Sequence, residues 1–195
     1  MRNLSLLAPV ALLAALFSAA PAAAETYEID AGHTTIGFEV KHLGISNVVG
    51  RFGEFEGTIN LSSDKPEATT AEVSVNAASV YTGLEKRDDH LRNPDFFNAT
   101  EFAKVTFKST GVKNATDKGF DLTGDLTMLG VTKPVTLTVS GVTDEIDDPW
   151  GGKRRGASAT ATFKRSDFGM SYGIDNGAVG DEVTVEIELE LKRAP

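Results

Sequence analysis

The chain has 195 residues, with 19 Lys and Arg against 28 Asp and Glu, a formal charge of -9. That length fits one domain, and so acidic a chain lacks the basic footprint of a nucleic-acid binder. With 41% apolar and 24% charged residues it is a folding chain, and the absence of cysteine excludes disulfides, thiolate zinc sites and a cysteine nucleophile.

The N-terminus reads as an address. Arg2 is the only charge before Glu25, Leu4 to Phe17 is mostly Leu and Ala, and Ala22-Ala23-Ala24 supplies the small-residue cleavage site. The apolar run is too short to span a bilayer comfortably. Residues 1–24 are therefore expected to be a secretory signal peptide, leaving a mature domain over residues 25–195. No later stretch is long and apolar enough to span, so the product is expected to be exported, without a membrane span.

Beyond Glu25 the dominant signal is alternation. Ile36, Phe38, Val40 and His42 share one parity, as do Phe55, Gly57, Ile59 and Leu61. Short rows follow at Val73 and Val75, then at Val105 and Phe107. Phe120, Leu122, Leu126 and Met128 come next, then Val135, Leu137 and Val139, then Ala157, Ala159, Ala161 and Phe163. The cleanest row runs from Val183 to Leu191, with Glu186, Glu188 and Glu190 between its apolar members. One apolar and one solvated face is the pattern of an antiparallel strand. About eight such strands separated by turn signals predict an all-β sandwich or barrel. The charges between the apolar rows, with few Trp and Tyr for interfacial girdles, favour a barrel with its apolar face inside over a membrane barrel.

One segment breaks the period. Thr82 and Glu85 have the spacing of a capping box, Leu84, Asp88 and Leu91 share a helical face, and Pro94 ends the element. A short helix over 82–93 followed by Phe96-Phe97 suits a plug over a barrel end, or a crossover whose aromatics complete the core. An eight-stranded barrel holds either side chains or one small ligand. The small residues on inward rows, among them Gly57, Gly124, Ala159 and Ala161, permit an apolar tunnel unless Phe from facing strands fills it.

Three basic groups end or join apolar rows. His42 follows Val40, Arg165 follows Phe163, and Arg51 has the parity of Phe55 and Ile59 unless a bulge at Gly53 flips it. They could meet the polar head of a ligand, or pair internally with Asp88, Asp95 or Asp167. Lys41-His42 to Val49 is a short connection, so the strands on either side of it are expected to pair as a hairpin. Metal and catalytic signatures are thin. His33, His42 and His90 lack ligand spacing, there is no G-x-S-x-G and no phosphate loop, and no cofactor is implied.

The motif blocks resemble the YceI-like family of periplasmic proteins. Asp30, His33, Thr34, Ile36, Phe38, Val40, Lys41 and His42 form the first block, continued by Gly50, Phe52 and Gly57. Arg87-Asp88, His90-Leu91 and Asp95-Phe96-Phe97 form the second. Gly124, Leu126-Thr127 and Gly130 to Val135 form the third, Arg165 with Asp167 to Met170 the fourth, and Gly180 to Val183 the fifth. The family's usual Ser after the first-block histidine is Thr34 here. The resemblance implies a lipocalin-like eight-stranded antiparallel barrel, often dimeric. It also implies that a long amphiphile, typically a polyisoprenoid such as a quinone or prenyl phosphate, lies in an apolar tunnel.

The ligand contacts expected from rows and resemblance together are Phe38, Val40, Phe55, Phe107, Ala159, Ala161 and Phe163 on the walls. His42, Arg51 and Arg165 are expected at row ends, and Arg87, Asp88, His90 and Phe97 around the helix. Three readings follow: a lipid-binding or carrier protein, an enzyme acting on such a lipid through His42, His90 and Asp88, and an interaction protein whose barrel is simply filled.

Overall fold

The computed structural model describes residues 24–62 and 65–195; most of the expected signal peptide lies outside them. The first strands are β1 (Glu25–Ile29), β2 (Thr35–His42), β3 (Ser46–Phe52) and β4 (Phe55–Leu61). Then come β5 (Thr70–Asn76), β6 (Val80–Tyr81), the helix α1 (Glu85–Arg92), β7 (Lys104–Lys113) and β8 (Phe120–Met128). β9 (Val131–Ser140), β10 (Ile146–Asp147), β11 (Lys153–Lys164) and β12 (Val179–Arg193) complete the chain.

These strands form a closed eight-position antiparallel barrel. β12 pairs with β1 along its C-terminal part and with β2 along its N-terminal part, so β1 and β2 share one position. β3 pairs with β2 and β4 with β1, so β3 and β4 share the next. The sheet continues through β5, β7, β8, β9 and β11, and the β11–β12 ladder closes it. The short β6 and β10 only extend the edges of β3 and β11.

The inward rows are the apolar ones. Phe163, Ala161 and Ala159 stand opposite Val183, Val185 and Ile187. The last two stand opposite Phe38 and Ile36. Parity slips by one residue at two neighbouring places. Inward residues are Tyr27 and Ile29 on β1 but Ile36 and Phe38 on β2. They are Gly50 and Phe52 on β3 but Phe55 and Gly57 on β4. A slip of one residue exchanges the faces of a strand. The Gly53–Glu54 break therefore turns Arg51 outward, the alternative that a bulge at Gly53 allowed.

At the first slip Thr34 replaces the lost ladder bonds. Its Oγ1 donates to the Glu190 carbonyl at 3.2 Å and accepts from the Glu190 amide at 3.0 Å. Outside this seam Arg154 joins three acids: it donates to Asp148 at 2.9 Å, to Glu190 at 2.6 Å and to Asp30. At the same end the buried Tyr27 hydroxyl lies 2.7 Å from Glu145 and 2.9 Å from Glu25. Arg154 and its neighbours hold the Asp30 carboxyl down at about 2, and the Tyr27 hydroxyl, with Lys153 and Arg193, holds Glu145 down at about 2. Both pKa values are depressed in the folded state, so their stabilisation is complete above the unfolded carboxylate range and is lost as pH falls toward 2. Each should contribute about 2 kcal/mol. Denaturant unfolding at a series of pH values should show stability falling between roughly pH 4.5 and 2. A flat profile over that window would remove these clusters from the account of the fold.

The helix is shorter than the sequence predicts. Leu84, not Thr82, is its N-cap, so the capping box does not form. Thr82 instead donates its amide (2.8 Å) and hydroxyl to the buried Asp88, while Arg87 donates to the Thr82 hydroxyl and carbonyl at 2.7 and 2.8 Å. Asn93 is extended ahead of Pro94 and ends the helix.

Candidate ligand-binding site

The barrel interior divides in two. Its lower half is filled by Tyr27, Phe120, Leu122, Ala159 and Leu191 with their neighbours. Its upper half, toward the β2–β3, β8–β9 and β11–β12 connections, holds a cavity of about 180 Å³. Ile36, Phe38 and Val40 form one wall and Val73, Val75 and Phe107 another. Leu126, Met128, Ala161 and Phe163 close the ring, and the only polar side chains in the lining are Thr106 and Arg165.

Glycine shapes this space. A β-carbon at Gly50 would run into the Phe38 ring, and one at Gly124 into the Phe107 ring. These two glycines therefore each admit an aromatic ring from the next strand, which lies against the barrel wall. Small residues and phenylalanines, alternatives in the sequence, act together here.

The end of α1 and the segment after it cover the top. Leu91, Phe96 and Phe97 line the cavity, so the two aromatics both complete the core and cap the space. The cover is tied to the β11–β12 connection by three rings: His90 lies 5.0 Å from Phe96 and 5.0 Å from Tyr172, and Phe96 lies 5.2 Å from Tyr172. The His90 Nε2 is 2.9 Å from Asp95.

Arg165 holds that connection from beneath. It is 2% exposed. Its Nε donates to the Gly180 carbonyl at 2.7 Å, one terminal nitrogen to Met170 at 2.9 Å, and the other to Tyr172 at 2.7 Å and Val179 at 3.1 Å. Its acceptors are thus backbone carbonyls and not Asp88, Asp95 or Asp167. Burial pushes the guanidinium down from its ordinary pKa, and Asp181 nearby opposes that. Asp181 in turn accepts from the Ser166 amide at 2.9 Å and hydroxyl at 2.8 Å.

Of the residues expected to contact a ligand, Phe38, Val40, Phe97, Phe107, Ala161, Phe163 and Arg165 line the cavity. The other seven lie elsewhere. Ala159 belongs to the filled half. Phe55 is half-buried opposite Val75, outside the cavity lining. Arg87 and Asp88 are engaged with Thr82. His90 stands on the far side of the cover. His42 is exposed on the β2–β3 hairpin, paired with Val179. Arg51 is exposed on the outer face, its guanidinium 5.5 Å from the Tyr81 ring. His42, His90 and Asp88, the acid–base set of the enzymatic reading, are all absent from the cavity lining. Sequence reasoning missed Phe52, Met170 and Val179 as lining residues. Phe52 follows from the parity slip that expels Arg51, whereas Met170 arrives from an irregular connection and Val179 from the start of β12, ahead of a register shift.

Asp30, His33 and Glu190 bring three metal-ligand atoms within 4.8 Å of one another. Arg154 already donates to both carboxylates, and a cation there would meet its charge. No helix among the described residues is long and apolar enough to cross a membrane.

Comparison with known proteins agrees with this architecture. The YceI-like domain matches residues 27–191. A UPF0312 protein of Pseudomonas aeruginosa is 42% identical over 186 residues, covering 94% of this chain and 95% of its own. The crystal structure of a Campylobacter jejuni YceI protein superposes with a TM-score of 0.72 at 30% identity, covering 86% of this chain and 97% of that one. A polyisoprenoid binding domain from Saccharophagus degradans, implicated in plant cell wall breakdown, shares the fold with a TM-score of 0.63 at 17% identity, covering 86% and 98%. Matched along nearly its whole described length, the chain belongs to the YceI-like family.

Proposed function

We propose that this protein binds or carries a long-chain isoprenoid, or an amphiphile of similar width, with the apolar tail in the upper half of the barrel. The observation that carries the reading is the apolar cavity in the upper half of the barrel. Apolar cavities of about this size stay dry and accept apolar guests. Each isoprene unit buried would contribute roughly 3–4 kcal/mol before ordering costs, so even the leading part of a tail seated in this space supplies a substantial share of the affinity. The name of the Saccharophagus degradans relative supports the same ligand class.

Binding rather than turnover is favoured because the acid–base candidates stand outside the cavity lining. The family and the leader-like N-terminus support action in the periplasm, after cleavage between Ala24 and Glu25. The shape of the cavity selects width, and nothing in it distinguishes a quinone from a prenyl phosphate.

A thermal-unfolding titration tests the reading. Geranylgeraniol at about a hundred times its dissociation constant should add about 2.7 kcal/mol, raising Tm by roughly 5–10 °C. No shift with any prenyl chain, in protein shown to be free of bound lipid, would leave the barrel as a scaffold without this function.

A further inference from the structure

The β2–β3 connection is the three residues Leu43–Ile45, with left-handed backbone at the first two, Leu43 (φ 52) and Gly44 (φ 69), and the Ile45 amide donates to the His42 carbonyl at 3.1 Å. Gly, Asn and Asp suit such a turn, and a leucine is strained there. A Leu-Gly pair with left-handed backbone at both residues recurs at Leu129 (φ 53) and Gly130 (φ 74), in the two-residue connection between β8 and β9. There the leucine packs onto the core beneath the cover, and burial offsets the strain. Leu43 has no such compensation: it is 56% exposed, and Ile45 beside it is 81% exposed. Local backbone preference and solvation both oppose an apolar side chain at this tip. Such double conflicts mark functional positions.

The tip adjoins the cavity. Val40 lines it two residues before His42, and Val179, the partner of His42, lines it from β12. The Leu43 amide donates to the Ala178 carbonyl at 3.0 Å, anchoring the tip to the connection that Arg165 holds. Lys41 and His42 precede the tip and Ser46 and Asn47 follow it, so the last turn of this hairpin carries no acid in a chain of charge -9.

We propose that the Leu43–Ile45 tip is the surface by which this protein docks on a lipid bilayer, setting the upper end of the barrel against the reservoir of its ligand. The inference rests on the binding function proposed above, because a bilayer is where a free long-chain isoprenoid resides. A tip of two large apolar side chains flanked by Lys41 fits an interface of acyl chains beneath anionic head groups.

The test is co-sedimentation with vesicles of phosphatidylethanolamine and phosphatidylglycerol, comparing the intact protein with Leu43→Asn and Ile45→Ser. Asn suits the left-handed turn, so Leu43→Asn should keep or raise Tm while lowering vesicle affinity about tenfold or more. Ile45→Ser should weaken binding similarly. Geranylgeraniol supplied in solution should bind all three proteins equally, which separates failure of docking from failure of the cavity. Equal vesicle binding by all three proteins, or none by the intact protein, would overturn the proposal. A dimer in sedimentation velocity that Leu43→Asn dissociates would likewise overturn it, and would assign the tip to a second copy of the chain.

Discussion

Replacing Ala161 by Trp is expected to abolish ligand binding while leaving the fold intact. Ala161 lines the cavity opposite Val185, so an indole there enters empty space and takes the place of a tail segment. Losing one buried isoprene unit, roughly 3–4 kcal/mol, weakens binding by about a hundredfold or more. Stability should change by less than about 1 kcal/mol, since the ring gains contacts where the wall had none. Ala159, two residues earlier on the same inward row, supplies the control. It is 2% exposed and packed in the filled half. Ala159→Trp is overpacking and should cost about 1–3 kcal/mol or more. Denaturant melts and a prenyl-chain titration on both variants check the pair. If Ala161→Trp is destabilised as much as Ala159→Trp and still binds ligand, the tail does not lie beside Ala161.

The second large effect is expected at Arg165. Methionine there would leave the carbonyls of Met170, Tyr172, Val179 and Gly180 without their donor in a buried site. The cost should be about 4 kcal/mol, because each unpaired buried group forfeits its desolvation. Lysine should rescue little, since its ammonium lacks the planar fork that reaches several carbonyls at once. Chemical denaturation of Arg165→Met and Arg165→Lys measures this directly. A methionine variant of undiminished stability that loses prenyl phosphates and keeps prenyl alcohols would show instead that Arg165 reads an anionic head. Arg51→Met, by contrast, should leave binding of both ligands unchanged, because Arg51 is on the outer face.

The barrel was legible because its strands carry period-two rows long enough to survive local irregularity. Val183 to Leu191 and Ala157 to Phe163 needed no context to be placed, and they form the ladder that closes the sheet. What the sequence hid were phase changes and long-range pairings. Arg51 and Phe55 share a parity that the Gly53–Glu54 break annuls, and nothing in the local composition says which way such a break turns. Ala159 and Ala161 look alike on one row, yet one meets the filled half and the other the cavity, a distinction set by strands far away in the chain. Arg165 was recognisable as a basic group ending an apolar row, but its acceptors are backbone carbonyls, which carry no residue signature. The aromatics after α1 read equally as a cover or as a crossover that completes the core, and their place in the fold gives them both roles. The Leu43-Gly44 pair reads as an ordinary turn until its backbone and exposure are both known.

The central claim is that the upper half of the barrel holds a long apolar tail. Native mass spectrometry of the protein purified without detergent, followed by solvent extraction of the same sample, tests it most directly. The account predicts one amphiphile per barrel in the wild type, released by solvent and identifiable by its repeating five-carbon fragments, and its loss from Ala161→Trp. A wild-type protein that carries no lipid, and takes up none when folded in the presence of prenyl chains, would contradict the account.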